Sequence, residues 1–203
     1  MQPGSSTSGR GGAARQESLR EHNLGLVART ILTSADRPSR ADVASATGLT
    51  RATVSRLVEE LIDARLVSEG SPMVAGRAGR PAIPLTAASR TIAGLGLEVN
   101  IDYLGGRVVD LTGDVLAETE VAGNFRAAEP RDVLGQLGAL GRSLAQEVTA
   151  SGVRLAGTGL ALPGLVDQTS GTLHRAPNLG WSELVPADLL GGVPGGVLGG
   201  VPG

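Results

Sequence analysis

The sequence predicts an α+β chain of two modules, a winged helix-turn-helix followed by an α/β lobe. Three observations predict it. Between Leu24 and Ile62, apolar residues recur at the helical period and are interrupted twice by helix-stopping residues. From Leu95 onward the period falls to two, as in half-buried strands. Charge divides at the same place: residues 1–90 hold twelve Arg against eight Asp and Glu, and residues 91–203 hold six Arg against twelve. A basic front module and an acidic rear one suit different partners.

Composition excludes several chemistries. The chain has 203 residues, 41% of them hydrophobic, which is enough for a packed core. It has no cysteine, so disulfides, thiolate zinc sites, iron–sulfur clusters and cysteine nucleophiles are out. His22 and His174 are the only imidazoles, too few for a multi-histidine metal site. No metal or cofactor is expected. Tyr103, Phe125 and Trp181 are the only aromatics, too few to stack the bases of a single strand. No apolar run approaches the ~20 residues of a membrane span and no signal peptide is visible, so a cytoplasmic protein without a membrane partner is expected.

Residues 1–18 are rich in Gly, Ser and Arg and read as a disordered tail. Residues 19–86 read as the winged helix-turn-helix. Leu24, Val27, Ala28, Ile31 and Leu32 form one helical stripe, stopped at Asp36-Arg37-Pro38. Ser39-Arg40-Ala41-Asp42 has capping-box spacing and opens a short second helix, which ends at Thr47-Gly48. Thr50 caps a third helix with the stripe Val54, Leu57, Val58, Leu61 and Ile62. Leu66-Val67 and Ala82–Thr86 read as strands around a Gly/Arg loop, which makes a wing.

The third helix carries the candidate chemistry. At ~100° per residue, the face opposite its apolar stripe holds Ala52, Arg56 and Glu59. Thr53 and Ser55 flank that face, and Thr50 and Arg51 stand at the N-terminal end. A recognition helix sets its N-terminal residues against base edges in the major groove. Arg can pair with guanine through two hydrogen bonds, Ser and Thr with bases or phosphate, and Ala with a thymine methyl. The wing, Gly76-Arg77-Ala78-Gly79-Arg80-Pro81, offers Arg77 and Arg80 to a narrow A·T-rich minor groove. The expected partner is double-stranded operator DNA, bound by a homodimer.

In the rear module, residues 87–190, Leu95, Leu97, Val99 and Ile101 alternate with Gly96, Glu98, Asn100 and Asp102. Arg107–Leu111 and Val115–Ala117 read as strands around a Thr112-Gly113-Asp114 turn, and Gly105-Gly106 reads as a hairpin turn. Pro130 opens a helix with Val133, Leu137, Leu140, Leu144 and Val148 on one face, and Val153–Leu162 returns as a strand. A sheet covered by one helix is expected to leave apolar surface exposed. Pro163-Gly164 reads as loop, Asn178 as a turn residue and Trp181 as a core anchor; Asp167 lacks a titratable partner nearby in sequence. Residues 191–203 repeat Gly, Val and Pro and read as a low-complexity disordered end, a truncation or frameshift product.

Leu49–Leu61 with Gly79-Arg80-Pro81 resembles the DNA-binding end of ROK-family repressors (repressor, open reading frame, kinase). Gly157–Asp167, GTGLALPGLVD, and Ala176–Trp181, APNLGW, resemble two further segments of that family. The resemblance covers about residues 20–185. It implies that the rear module is an incomplete actin-like, ribonuclease H-like lobe of the ROK sugar-kinase fold, truncated before the second lobe. It also implies a transcriptional regulator, expected to be a repressor, of carbohydrate uptake or catabolism, released from DNA by a sugar or sugar phosphate. The alternative is a truncated DNA-binding product that senses no sugar. A sugar kinase fits less well. The family's catalytic members follow their first strand with Gly-Gly-Thr and draw their base from an Asn-Asp pair. Here Glu98 stands near the strand's usual Asp, no Gly-Gly-Thr follows, and no Asn precedes an Asp. No catalytic residue is expected.

Overall fold

A computed structural model describes residues 8–71, 83–194 and 197–198, with side chains in the span from Arg15 to Pro194. The chain divides into two compact units, Met1–Ala88 and Ser89–Gly203.

The front unit begins with α1 (Ser8–Leu32), α2 (Arg40–Thr47) and α3 (Arg51–Asp63). Helix α1 starts inside the segment expected to be a disordered tail. Ala13 through Glu17 are good helix formers and carry the helix back from its apolar stripe, and Arg20 is tied to both Glu17 and Glu60. Residues 1–7 lie outside the described residues. Val27, Ile31, Val43, Val54, Leu57, Val58 and Leu61 close the core with Val67 and Leu85. Each such side chain contributes ~1.5–3 kcal/mol on burial. Strands β1 (Val67–Glu69) and β2 (Leu85–Ala87) pair antiparallel, Val67 opposite Ala87. They are the stem of the expected wing. Its tip, with Arg77 and Arg80, lies outside the described residues.

In the rear unit, β3 (Ile92–Val99), β4 (Tyr103–Asp110) and β5 (Val115–Ala122) form an antiparallel meander. Helix α4 (Pro130–Ala150) then crosses to β6 (Arg154–Ala161), which pairs parallel with β3. Gly105-Gly106 lies inside β4 and is no hairpin turn. A Cβ on Gly106 would crowd the side chains of Leu140 and Leu144 of α4, whereas one on Gly105 would meet Tyr103 at ordinary contact distance. The chain reverses earlier, where the Asn100 amide donates to the Tyr103 carbonyl.

A second sheet, absent from the sequence reading, follows. Strands β7 (Leu165–Val166), β8 (Leu173–Ala176) and β9 (Trp181–Leu184) pair antiparallel. Gly164 permits this: its Cβ would sit 2.7 Å from the Arg175 carbonyl. Asn178 lies exposed in the β8–β9 turn. Trp181 is 3% exposed and donates from Nε1 to the Ala128 carbonyl at 2.7 Å, so it is the expected anchor.

One expectation about this unit is corrected and a second is narrowed. The glycine-rich end is ordered as far as it is described. Leu190 and Val193 are buried, the Thr158 hydroxyl donates to the Pro194 carbonyl, and β10 (Val197–Leu198) adds to the edge of β6 in parallel. Non-local contacts to α4 and β6 supply what the local sequence lacks. The sheet face away from α4 is also not broadly apolar. It presents Gly96, Glu98, Gly105, Arg107 and Glu118, with Arg107 paired to Glu118 at 2.8 Å. The large apolar side chains exposed on this sheet, among the described residues, are Val115 and Val121 of edge strand β5.

Candidate nucleic-acid interface

Helix α2 opens on a complete capping box. The Ser39 hydroxyl accepts from the Asp42 amide, and the Asp42 carboxylate accepts from the Ser39 amide at 2.9 Å. Hydrogen bonds from the Ser39 side chain and amide hold the Asp42 carboxyl below its ordinary range. The helix ends at Gly48, whose φ of +71° is the left-handed conformation that glycine adopts without a Cβ penalty. Leu49 and Thr50 complete the turn into α3.

Thr50 is the N-cap of α3. Its Oγ1 accepts from the Thr53 amide at 3.2 Å and lies 2.9 Å from the Thr53 hydroxyl. The hydroxyls of Thr50 and Thr53 are thus engaged with the helix start. Val54, Leu57, Val58 and Leu61 face the core. Arg51, Ala52, Arg56 and Glu59 are exposed on the other side, with Ser55 half-buried beside them. The structure therefore gathers Thr50, Arg51, Ala52, Thr53, Ser55 and Arg56 on the first two turns of one helix. Arg77 and Arg80 fall outside the described residues.

The charges around this helix are divided. Arg20 of α1 binds Glu60 at 2.9 Å and Arg40 of α2 binds Glu69 of β1. Those carboxylates are occupied within the unit. Among the described residues, Arg51 and Arg56 take part in no ion pair, so two guanidinium groups remain available on the exposed face. The Arg40–Glu69 bond links α2 to the wing stem across 29 residues. Sequence reading missed it, because no short spacing marks a partner that far away.

In the rear unit, Asp167 Oδ1 accepts from the amides of Thr169 and Ser170 at 2.7 and 2.9 Å. These bonds hold its carboxyl below the ordinary range. Its visible work is to close the 167–172 turn. Glu98 accepts from the Tyr103 hydroxyl at 2.6 Å, which makes the phenol harder to ionise. Among the described residues, no group of three His, Cys, Asp or Glu is placed to hold a metal, and no helix is long and apolar enough to cross a membrane.

Residues 30–70 match the model of the IclR helix-turn-helix domain. The chain is 29% identical over 168 residues to the xylose repressor of Caldicellulosiruptor bescii, a match covering 82% of this chain and 41% of that protein. It is 25% identical over 164 residues to the DNA-binding transcriptional repressor Mlc of Escherichia coli, covering 79% of this chain and 39% of Mlc. Its fold is similar to the crystal structure of a ROK-family transcriptional regulator, a homologue of E. coli Mlc. That match has a TM-score of 0.65 and 26% identity, and covers 88% of this chain and 45% of the other. The chain thus spans less than half the length of these relatives.

Proposed function

We propose that this chain is a ROK-family transcriptional regulator that binds double-stranded operator DNA through residues 19–86 and represses genes of carbohydrate uptake or catabolism; its likeness to the xylose repressor and to the ROK-family regulator structure supports the reading. One observation carries the reading. The second helix of a helix-turn-helix presents Arg51, Ala52, Ser55 and Arg56 outward, with both guanidinium groups unpaired. An exposed Arg in the major groove reads guanine O6 and N7, a small side chain such as Ala52 accommodates a thymine methyl, and Ser55 serves a base or phosphate. Since the Thr50 hydroxyl caps the helix and the Thr53 hydroxyl is bonded to it, their contribution is to aim the helix N-terminus and its free amides at a phosphate. Arg77 and Arg80 of the wing enter the adjacent minor groove. A homodimer places two such helices one helical turn apart on the DNA.

The rear unit is read as part of a sensor for a sugar or sugar phosphate that releases the DNA, and not as a kinase. The relatives named as xylose repressors make xylose the first sugar to try. The repressor is placed in the cytoplasm and needs no cofactor.

Binding is tested by gel shift with duplexes from upstream of its own gene and of nearby sugar genes, at stated salt. A preference over random duplex is expected. Arg56→Ala should weaken binding by ~1–3 kcal/mol and relax selection at one base pair. Equal affinity for all duplexes, or an Arg56→Ala protein that binds as the parent does, refutes the reading.

A further inference from the structure

Among the described residues, Asp110 and Thr158 are the buried polar side chains. Asp110 ends β4 and is 6% exposed. Its two carboxylate oxygens serve different neighbours. Oδ1 accepts from the Thr112 hydroxyl at 2.6 Å, the Thr112 amide at 2.8 Å and the Asp114 amide at 3.1 Å, all within the β4–β5 turn. Oδ2 accepts from the Arg90 amide at 2.7 Å and the Ser89 hydroxyl at 3.4 Å. Ser89 and Arg90 are the first residues of the rear unit. Ala88, the last of the front unit, donates its amide to the Leu66 carbonyl at 3.0 Å. Residues on either side of the junction are thus anchored to different units. Arg90 also has a φ of +55°, a left-handed conformation that a non-glycine residue keeps only where its surroundings hold it.

We propose that Asp110 is a positioning residue whose Oδ2 pins Arg90, and with it Ser89, so that the first residues of the rear unit are held at the end of β4. Hydrogen bonds to a carboxylate are among the stronger ones in proteins, and the 2.7 Å bond from the Arg90 amide, with a longer 3.4 Å contact from the Ser89 hydroxyl, is spent on the start of the unit rather than on the turn. Burial acts against the charged form, but the bonds from Thr112, Arg90 and Asp114 together outweigh it, and the Asp110 carboxyl stays below its ordinary range. The inference concerns the start of the rear unit alone and does not depend on what the helix-turn-helix binds.

The test is limited trypsin digestion of the full chain, following the fragment that begins at Thr91 by mass spectrometry. The Arg90 side chain is exposed, so the cut depends on release of the backbone. Asp110→Asn, which loses the charge shared by both sets of bonds, should speed this cut by at least about tenfold. Thr112→Val, which removes a bond to Oδ1 alone, should leave it at the parent rate. An unchanged rate in Asp110→Asn overturns the proposal. So does equal acceleration by Thr112→Val, which reduces Asp110 to a turn residue. Should Asp110→Asn fail to fold, hydrogen exchange in the parent protein decides. The Arg90 amide is expected to exchange as slowly as that of Leu97 in β3, and exchange at the rate of an unstructured amide overturns the assignment.

Discussion

Helix α3 buries Val54, Leu57, Val58 and Leu61, every one a branched side chain, whereas α4 buries Gly138 and Gly141 among Val133, Leu134, Leu137, Leu144 and Val148. The two helices also start differently. Thr50 caps α3 with its hydroxyl, while α4 begins at Pro130 behind Glu129, which makes no side-chain cap bond. Helix α3 meets its neighbours through side chains and keeps an exposed charged face. In α4 the helix backbone itself is a contact surface: a Cβ on Gly138 would stand 1.9 Å from the Leu190 carbonyl oxygen, and one on Gly141 3.1 Å from Leu97. Arg142 fixes the same turn, donating to the carbonyls of Leu190 and Gly191 at 2.9 and 2.7 Å. The shared helical period therefore hides two kinds of packing, which respond oppositely to substitution.

The largest effects follow from that opposition. In α3 the damage comes from removing atoms. Leu57→Ala should destabilise the front unit by ~2–5 kcal/mol, the cost of lost burial plus a cavity. In α4 it comes from adding one. Gly→Ala in a helix ordinarily stabilises by ~0.5–1 kcal/mol, yet Gly138→Ala should cost the rear unit at least about 2 kcal/mol, because the obstacle is backbone. Urea unfolding reads both: fluorescence of Trp181, the only tryptophan, follows the rear unit, and the part of the helical circular dichroism that melts apart from Trp181 follows the front unit. A Gly138→Ala protein with a raised fluorescence midpoint would show that Leu190 does not sit on α4.

The difference also explains what the sequence disclosed. The front unit was legible because its determinants are local: two caps, Gly48 in the turn, and apolar stripes of branched residues. The strands and helix of the first rear sheet were legible from period two and from the α4 stripe. What was missed depends on distant partners. Helix α1 runs back to Ser8 through residues whose Gly and Ser content suggested a tail. Gly164 lets β7 approach β8, and Gly138, Arg142 and Thr158 hold the glycine-rich end from 36 or more residues away. No local pattern announces a glycine whose role is to make room for another segment. The candidate interface on α3 was legible as a helix face. That Thr50 and Thr53 are committed to the cap became visible only in the hydrogen bonds.

The cap of α3 gives the next effect in size, and it separates stability from binding. Thr50→Ala should cost about 1 kcal/mol of front-unit stability, since the Thr53 amide loses its acceptor. Thr50→Asp should restore that loss, because Asp is as good an N-cap and favours a helix N-terminus. The same Asp places a negative charge where a DNA phosphate is proposed to lie. Thr50→Asp should therefore melt like the parent and bind duplex DNA more weakly than Thr50→Ala does. Should Thr50→Asp bind as well as the parent, the N-terminus of α3 does not face the DNA.

The smallest effect is the control for the α4 argument. Gly135 lies on the same helix as Gly138, less than one turn earlier, but it is exposed and a Cβ there would meet nothing within 4 Å. Its φ is not in the left-handed region, so alanine fits the existing backbone. Here the ordinary rule applies: Gly135→Ala should stabilise the rear unit by ~0.5–1 kcal/mol, mostly by reducing the freedom of the unfolded chain. The Trp181 urea midpoint should rise slightly with an unchanged slope. Opposite signs at two glycines three positions apart would tie the penalty at Gly138 to the seated Leu190 turn, since helix propensity is common to both. A loss at Gly135 instead would mean that the outer face of α4 is covered by another surface.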